Sequence, residues 1–169
     1  TITGYFGSDT GSVITGVPTY SGTATSGTVV GSYTITSGVG GMSAANYTFA
    51  SASGNLTITK AVLVATPDAK TKVYNSAIYS GGYSTTYTGF FGSDTTSVIS
   101  GTITYTGAAM AATNVGSHTI TTVIGNLTAS NYTFQAADNT LSITKATITV
   151  TAVAKSKTYD SLIYSGGYT

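Results

Sequence analysis

The chain is 169 residues long and has no Cys, Trp, Arg or Glu; six Lys, five Asp and one His carry nearly all of its charge. Charged residues make up 7% of it, against about 25% in an ordinary globular domain, and a net charge of +1 with scattered Lys presents no basic face to a phosphate backbone. Nucleic-acid binding, a disulfide framework and a membrane-spanning helix of roughly 20 apolar residues are therefore not expected, and with no signal sequence at Thr1 the chain reads as a soluble interior piece of something longer.

Thr, Ser, Gly, Ala, Tyr and Val dominate, an alphabet that suits pleated strands punctuated by turns. The pattern occurs twice. Shifting the sequence by 85 residues lays Gly4-Tyr-Phe-Gly-Ser-Asp9 on Gly89-Phe-Phe-Gly-Ser-Asp94, Asn46-Tyr-Thr-Phe49 on Asn131-Tyr-Thr-Phe134 and Ile78-Tyr-Ser-Gly-Gly-Tyr83 on Ile163-Tyr-Ser-Gly-Gly-Tyr168, with no gap. Solenoid coils and propeller blades repeat every 20 to 50 residues or so, whereas this period is long enough for a small core. The repeat predicts an array of domains.

Taken in order through 61–145, alternating runs bounded by Gly, Asn, Asp or Ser predict strands near 61–67, 72–75, 83–89, 101–107, 116–124, 131–136 and 140–145, with essentially no helix. Seven short strands imply an all-β fold of tandem small antiparallel β-sandwiches. After Phe91 the run Gly-Ser-Asp-Thr fits a turn or a helix cap. Its Asp94, like Asp9 in the first copy, is also a weak calcium candidate, because one carboxylate stands beside hydroxyls.

The alternation changes phase at two places. Leu141 and Ile143 lie on odd positions but Ala146, Ile148 and Val150 on even ones; Leu56 and Ile58 give way in the same manner to Ala61, Leu63 and Ala65. A one-residue phase change moves every side chain to the opposite face, so a continuous strand is expected to join neighbouring units at Lys60–Ala61 and at Lys145–Ala146. With boundaries there, 1–60 is a unit without its first strands, 61–145 is complete, and 146–169 holds the first strands of another. The open edge of 1–60 invites a strand, and 146–169 of another copy is the natural donor.

Lys157-Thr-Tyr-Asp160 with its partner Lys72-Val-Tyr-Asn75, the Asn-Tyr-Thr-Phe segments and the closings Leu56-Thr-Ile-Thr-Lys-Ala61 and Leu141-Ser-Ile-Thr-Lys-Ala146 resemble the MBG and YDG repeats of large bacterial surface adhesins of filamentous-haemagglutinin type. The resemblance covers nearly the whole chain and implies a secreted, mostly-β stalk or fibre. Ser161 stands where those repeats usually have Gly, and Asn75 replaces the Asp in the central copy.

Candidate chemistry is sparse. A catalytic triad would need His118, but Tyr33 occupies its place in the first copy, and the acids are single residues in turns. Lys60 and Lys145 recur as an isopeptide crosslink would need, without a second acid to shuttle protons. Asn46, Asn55, Asn126 and Asn131 lie in Asn-x-Thr sequons that read as turn residues. The recurrent pairs Tyr20/Tyr105, Tyr47/Tyr132, Tyr74/Tyr159 and Tyr79/Tyr164 read as core or hydroxyl anchors. The expectation is a non-enzymatic extracellular repeat without cofactor. Its partners would be neighbouring repeats or copies of itself, head to tail. The alternative is an adhesin module that binds glycan or protein through exposed Tyr and Asn loops.

Overall fold

In a computed structural model that describes residues 1–167, ten strands form three sheets. β1 (Thr19–Ser21), β2 (Gly31–Gly38) and β3 (Ser53–Ile58) make the first, in the order β1-β2-β3. The second and third arise entirely within 61–144. One has the order β5-β10-β8-β7, from Lys70–Val73, Asp138–Thr144, Gly116–Val123 and Thr104–Thr106; the other has the order β6-β4-β9, from Thr85–Thr88, Ala61–Pro67 and Tyr132–Ala136.

All seven strands expected in 61–145 are present, with 72–75 moved to Lys70–Val73 and 101–107 shortened to Thr104–Thr106. Among the described residues helix is confined to 3₁₀ turns, two in each copy, at Gly11–Val13, Thr23–Thr25, Thr96–Val98 and Ala108–Ala111. The first sheet is purely antiparallel, but the two sheets of 61–144 are mixed. β4 runs parallel to β9 with Ala61 opposite Tyr132, and β5 runs parallel to β10 with Lys70 opposite Leu141. The reason is topological: the opening strands of the unit pair with its closing strands, far along the chain, where no hairpin dictates direction.

The core follows the period of two. In β4 every second residue, Leu63, Ala65 and Pro67, is buried, and β8 and β10 answer with Ile120, Leu141 and Ile143. Ala109 and Ala112 close one end of this layer; Tyr132, Ala129, Phe90 and Phe134 pack around Leu63. Fully burying a Leu or Ile side chain contributes about 1.5–3 kcal/mol, so these few residues supply most of the apolar driving force. Tyr79, Tyr83 and Tyr105 pack in a row against this core as tilted pairs, with successive ring centroids 5.4 Å apart.

The strand expected to run unbroken through Lys60–Ala61 is interrupted. β3 ends at Ile58 and β4 begins at Ala61, because β3 bonds to β2 whereas β4 bonds to β6 and β9; Thr59 and Lys60 carry the chain from one sheet to the other. At the second seam β10 stops at Thr144, and no strand is present among residues 145–167.

Candidate inter-repeat seam

Two hydrogen bonds tie the first copy's sheet to the second copy across the Lys60–Ala61 junction. The Lys60 ammonium donates to the carbonyl of Ala129 at 2.8 Å, and the side-chain oxygen of Asn131 accepts the N–H of Val30 at 3.1 Å. Asn131 also uses its own carbonyl to receive the Ala61 N–H at 3.0 Å, so one residue fixes both the incoming strand and the preceding sheet. A shallow groove between them is lined by Thr28, Val30, Ile58, Phe91, Asn131 and Tyr132. The phase change in the sequence singled out Lys60 and Ala61, where the chain passes from β3 to β4. It missed Asn131, whose signal was its place beside the recurrent Tyr132. Lys145 and Ala146 are both exposed.

Asp9 and Asp94 occupy the same site in the two copies. The Tyr132 hydroxyl donates to Asp94 Oδ2 at 2.7 Å and accepts the Phe91 N–H at 3.0 Å; Tyr47 does the same with Asp9 at 2.7 Å and Phe6 at 3.1 Å. Each carboxylate is thereby an anchor for a tyrosine hydroxyl. Neither aspartate side chain caps the following 3₁₀ turn: Thr10 and Thr95 do, by accepting from Ser12 and Ser97. Among the described residues no three His, Cys, Asp or Glu side chains gather where a metal could be held. The Phe91 N–H lowers the pKa of Tyr132, but the Asp94 acceptor, loss of solvent and Asp94's negative charge outweigh it and leave the phenol above its ordinary value of 10.0. Tyr47 is raised on the same balance of Phe6 against Asp9.

The Lys-x-Tyr-Asx segments form one local device. Lys72 donates to Asn75 Oδ1 at 2.6 Å and to the Ala77 carbonyl; Lys157 pairs with Asp160 at 2.5 Å and donates to the Leu162 carbonyl at 2.6 Å. The Lys157 bond, followed by the Leu162 N–H, holds the Asp160 carboxyl below its ordinary range. Ser76 and Ser161, with φ of 61° and 60°, take the left-handed conformation that Gly adopts without steric cost. Each also donates its hydroxyl to the tyrosine two residues back, at 3.0 Å.

His118 has a structural role that Tyr33 reproduces. His118 Nε2 donates to the Asn114 carbonyl at 2.9 Å, and the Tyr33 hydroxyl to the Val29 carbonyl at 2.7 Å, in both cases four residues back. Of the sequon residues, Asn126 accepts the Thr102 N–H at 3.0 Å and Asn131 holds the seam. Tyr105 and Tyr132 pack against the two core clusters as anchors, whereas Tyr20 and Tyr159 are exposed. No helix among the described residues is long and apolar enough to cross a membrane.

Neither a curated protein nor a solved structure matches the chain. A family profile described as MBG domain (YGX type) matches residues 1–57 and again 63–142, each match ending or starting within a few residues of the seam. The chain thus belongs to the MBG domain family.

Proposed function

We propose that this chain is a structural repeat of a bacterial cell-surface adhesin or extracellular filament, in which units of about 85 residues are stacked to set the length of a stalk. The observation that carries this reading is the seam. Two residues of chain, Thr59 and Lys60, join the units, and bonds from Lys60 and Asn131 clamp the connection from both sides. A linker that short has little freedom to act as a hinge, unlike a Gly/Ser-rich coil. The MBG family occurs in bacterial surface proteins, which supports an extracellular location, and nothing in the site chemistry calls for a cofactor. Unit boundaries at Lys60 and Lys145 follow from this reading.

Small-angle scattering on chains of two, three and four tandem units tests it. A stalk element gives a maximum dimension that grows in proportion to unit number; growth near the square root of unit number, as for beads on a flexible string, overturns it. The second reading, a glycan- or protein-binding module, draws on the exposed Tyr20 and on Phe6 and Phe91 at 81% and 70% exposure. Glycan-array binding that is lost on Phe91→Ala and Phe6→Ala would favour it.

A further inference from the structure

The row of rings in the second unit brings three phenols together from two places in the chain. Tyr79 and Tyr83 belong to the loop between β5 and β6, and Tyr105 to β7; all three are half-buried against the core. The loop is shaped around them. A Cβ on Gly81 would stand 2.4 Å from the Tyr79 hydroxyl oxygen, so the ring folds back over a position that carries no side chain. Gly166 stands in the same relation to Tyr164, again at 2.4 Å. The set recurs in sequence, with Tyr164 and Tyr168 matching Tyr79 and Tyr83, and Tyr20 matching Tyr105.

Redox chemistry in this chain falls to tyrosine. It has no Cys and no Trp to meet an oxidant first. Met110 packs on the same core but oxidises by gaining oxygen at sulfur, a change of a different kind. Among the tyrosine pairs the geometry differs. Tyr83 and Tyr105 are inclined at 38°, Tyr79 and Tyr83 at 59°. Tyr5 and Tyr47, at 6.2 Å and 71°, meet edge to face. Carbon–carbon coupling of two phenols joins ring edge to ring edge with a moderate twist, and the 38° pair stands nearest to that arrangement.

We propose that Tyr83 and Tyr105 form an oxidative crosslinking site, at which an oxidant of the peroxide class converts the pair into dityrosine within one unit. Each phenol gives up one electron and one proton. The two ring radicals join through the carbons ortho to their hydroxyls, and the hydrogens on those carbons then move to the oxygens and restore both phenols. The two protons leave to solvent, and the two electrons reduce the O–O bond of the peroxide.

The surroundings hold the pair in place through oxygen alone. The Tyr83 hydroxyl donates to the Ala109 carbonyl at 3.4 Å, and the Tyr105 hydroxyl shares a bond with Thr85 Oγ1 at 2.8 Å. Neither bond engages the ring carbons that couple. Joining Tyr83 to Tyr79 instead would have to close within one short loop, with the Tyr79 ring already pressed on Gly81. Tyr83 leads into β6, which belongs to the β6-β4-β9 sheet, whereas Tyr105 lies in β7 of the other sheet. The new bond therefore staples the two sheets of the unit together. It concerns a single unit and does not rest on the stalk reading.

The full chain is oxidised with persulfate and ruthenium tris-bipyridine under visible light, cut with chymotrypsin and read by mass spectrometry. The expected product is a monomer lighter by two hydrogen atoms, with dityrosine fluorescence and a linked peptide pair that joins Tyr83 to Tyr105. Its melting temperature should rise by about 10 °C or more, as for a crosslink that closes a loop. In urea the yield of that link should fall at least about tenfold, because the fold supplies the proximity. Tyr105→Phe should abolish the linked pair, and Tyr20→Phe, at an exposed ring, should leave it unchanged. A link that forms equally well in urea, one that joins Tyr83 to Tyr79, or coupling confined to pairs of chains overturns the inference. The urea comparison uses the unaltered chain, so the outcome does not depend on how well Tyr105→Phe folds. Rod-like tandem arrays that form no dityrosine would remove the crosslink and keep the stalk.

Discussion

Residues 61–82 and 146–167 are two readings of one sequence pattern with opposite outcomes. The first becomes β4 and β5, with Leu63 fully buried; the second contains no strand and leaves Ile148 and Val150 to solvent. The local device survives in both: the lysine bond to Asn75 or Asp160 and the left-handed serine are the same. Bonds between near neighbours thus form from the segment alone. Strand structure there requires β9 and β10, about 70 residues downstream, since these are the parallel partners. Local β-propensity is spent on fitting a surface that other residues must provide.

This contrast can be broken most sharply at its centre. Leu63→Ala should destabilise unit 61–145 by about 2–5 kcal/mol, whereas Ile148→Ala should move the denaturation midpoint of the monomer by no more than about 0.5 kcal/mol equivalent. Equal losses would mean that residues 146–158 already share a core. Appending a further copy of residues 85–145 after Thr169 should turn 146–158 into strands, read as new hydrogen-exchange protection at Ile148 and Val150; continued rapid exchange would show that pairing is not what the segment needs.

A smaller effect separates the two tyrosine anchors. Tyr132→Phe removes a hydroxyl that both donates to Asp94 and accepts from Phe91, and should cost about 1–3 kcal/mol by chemical denaturation. Tyr47→Phe, in the open unit, should cost less. The mildest test concerns Asp68, for which 146–167 has Val153 instead. The Ser84 hydroxyl, then Thr86 and the nearby Lys70, hold the Asp68 carboxyl below its ordinary 3.8. A depressed folded pKa means that the contribution is present above the unfolded value and fades as pH falls through the folded one. Asp68→Asn should therefore lower stability at neutral pH and flatten the loss seen below about pH 4. An unchanged acid limb would show that Asp68 is not linked to folding.

The all-β class, the repeat and the seven strands of 61–145 were legible because alternation and turn residues are local signals. The step between sheets near Lys60 and Ala61 left a trace in the sequence, because a change of phase there has to move the chain to another face. Pairing direction was not: nothing in Ala61–Pro67 says that it meets Tyr132–Ala136 in parallel. The expected continuous strand failed for a related reason, since the phase change that pointed to one strand is also what a step between two sheets produces. Asp94 looked like a cap or a ligand because its partner, Tyr132, lies 38 residues away. Asn131 reads in sequence as a turn residue within a sequon, and only the fold puts its side-chain oxygen against the Val30 N–H.

The parallel pairing of β4 with β9 and of β5 with β10 has a consequence for the proposed stalk. In the stalk proposed above, force would enter at Ala61 and leave at Thr144, drawing β4 back along its parallel partner β9 and β10 forward along its parallel partner β5. Parallel neighbours pulled in opposite senses load their cross-bonds side by side, in shear, instead of peeling one rung at a time. A small core with few buried residues can in this way resist being drawn apart far better than its equilibrium stability alone would suggest.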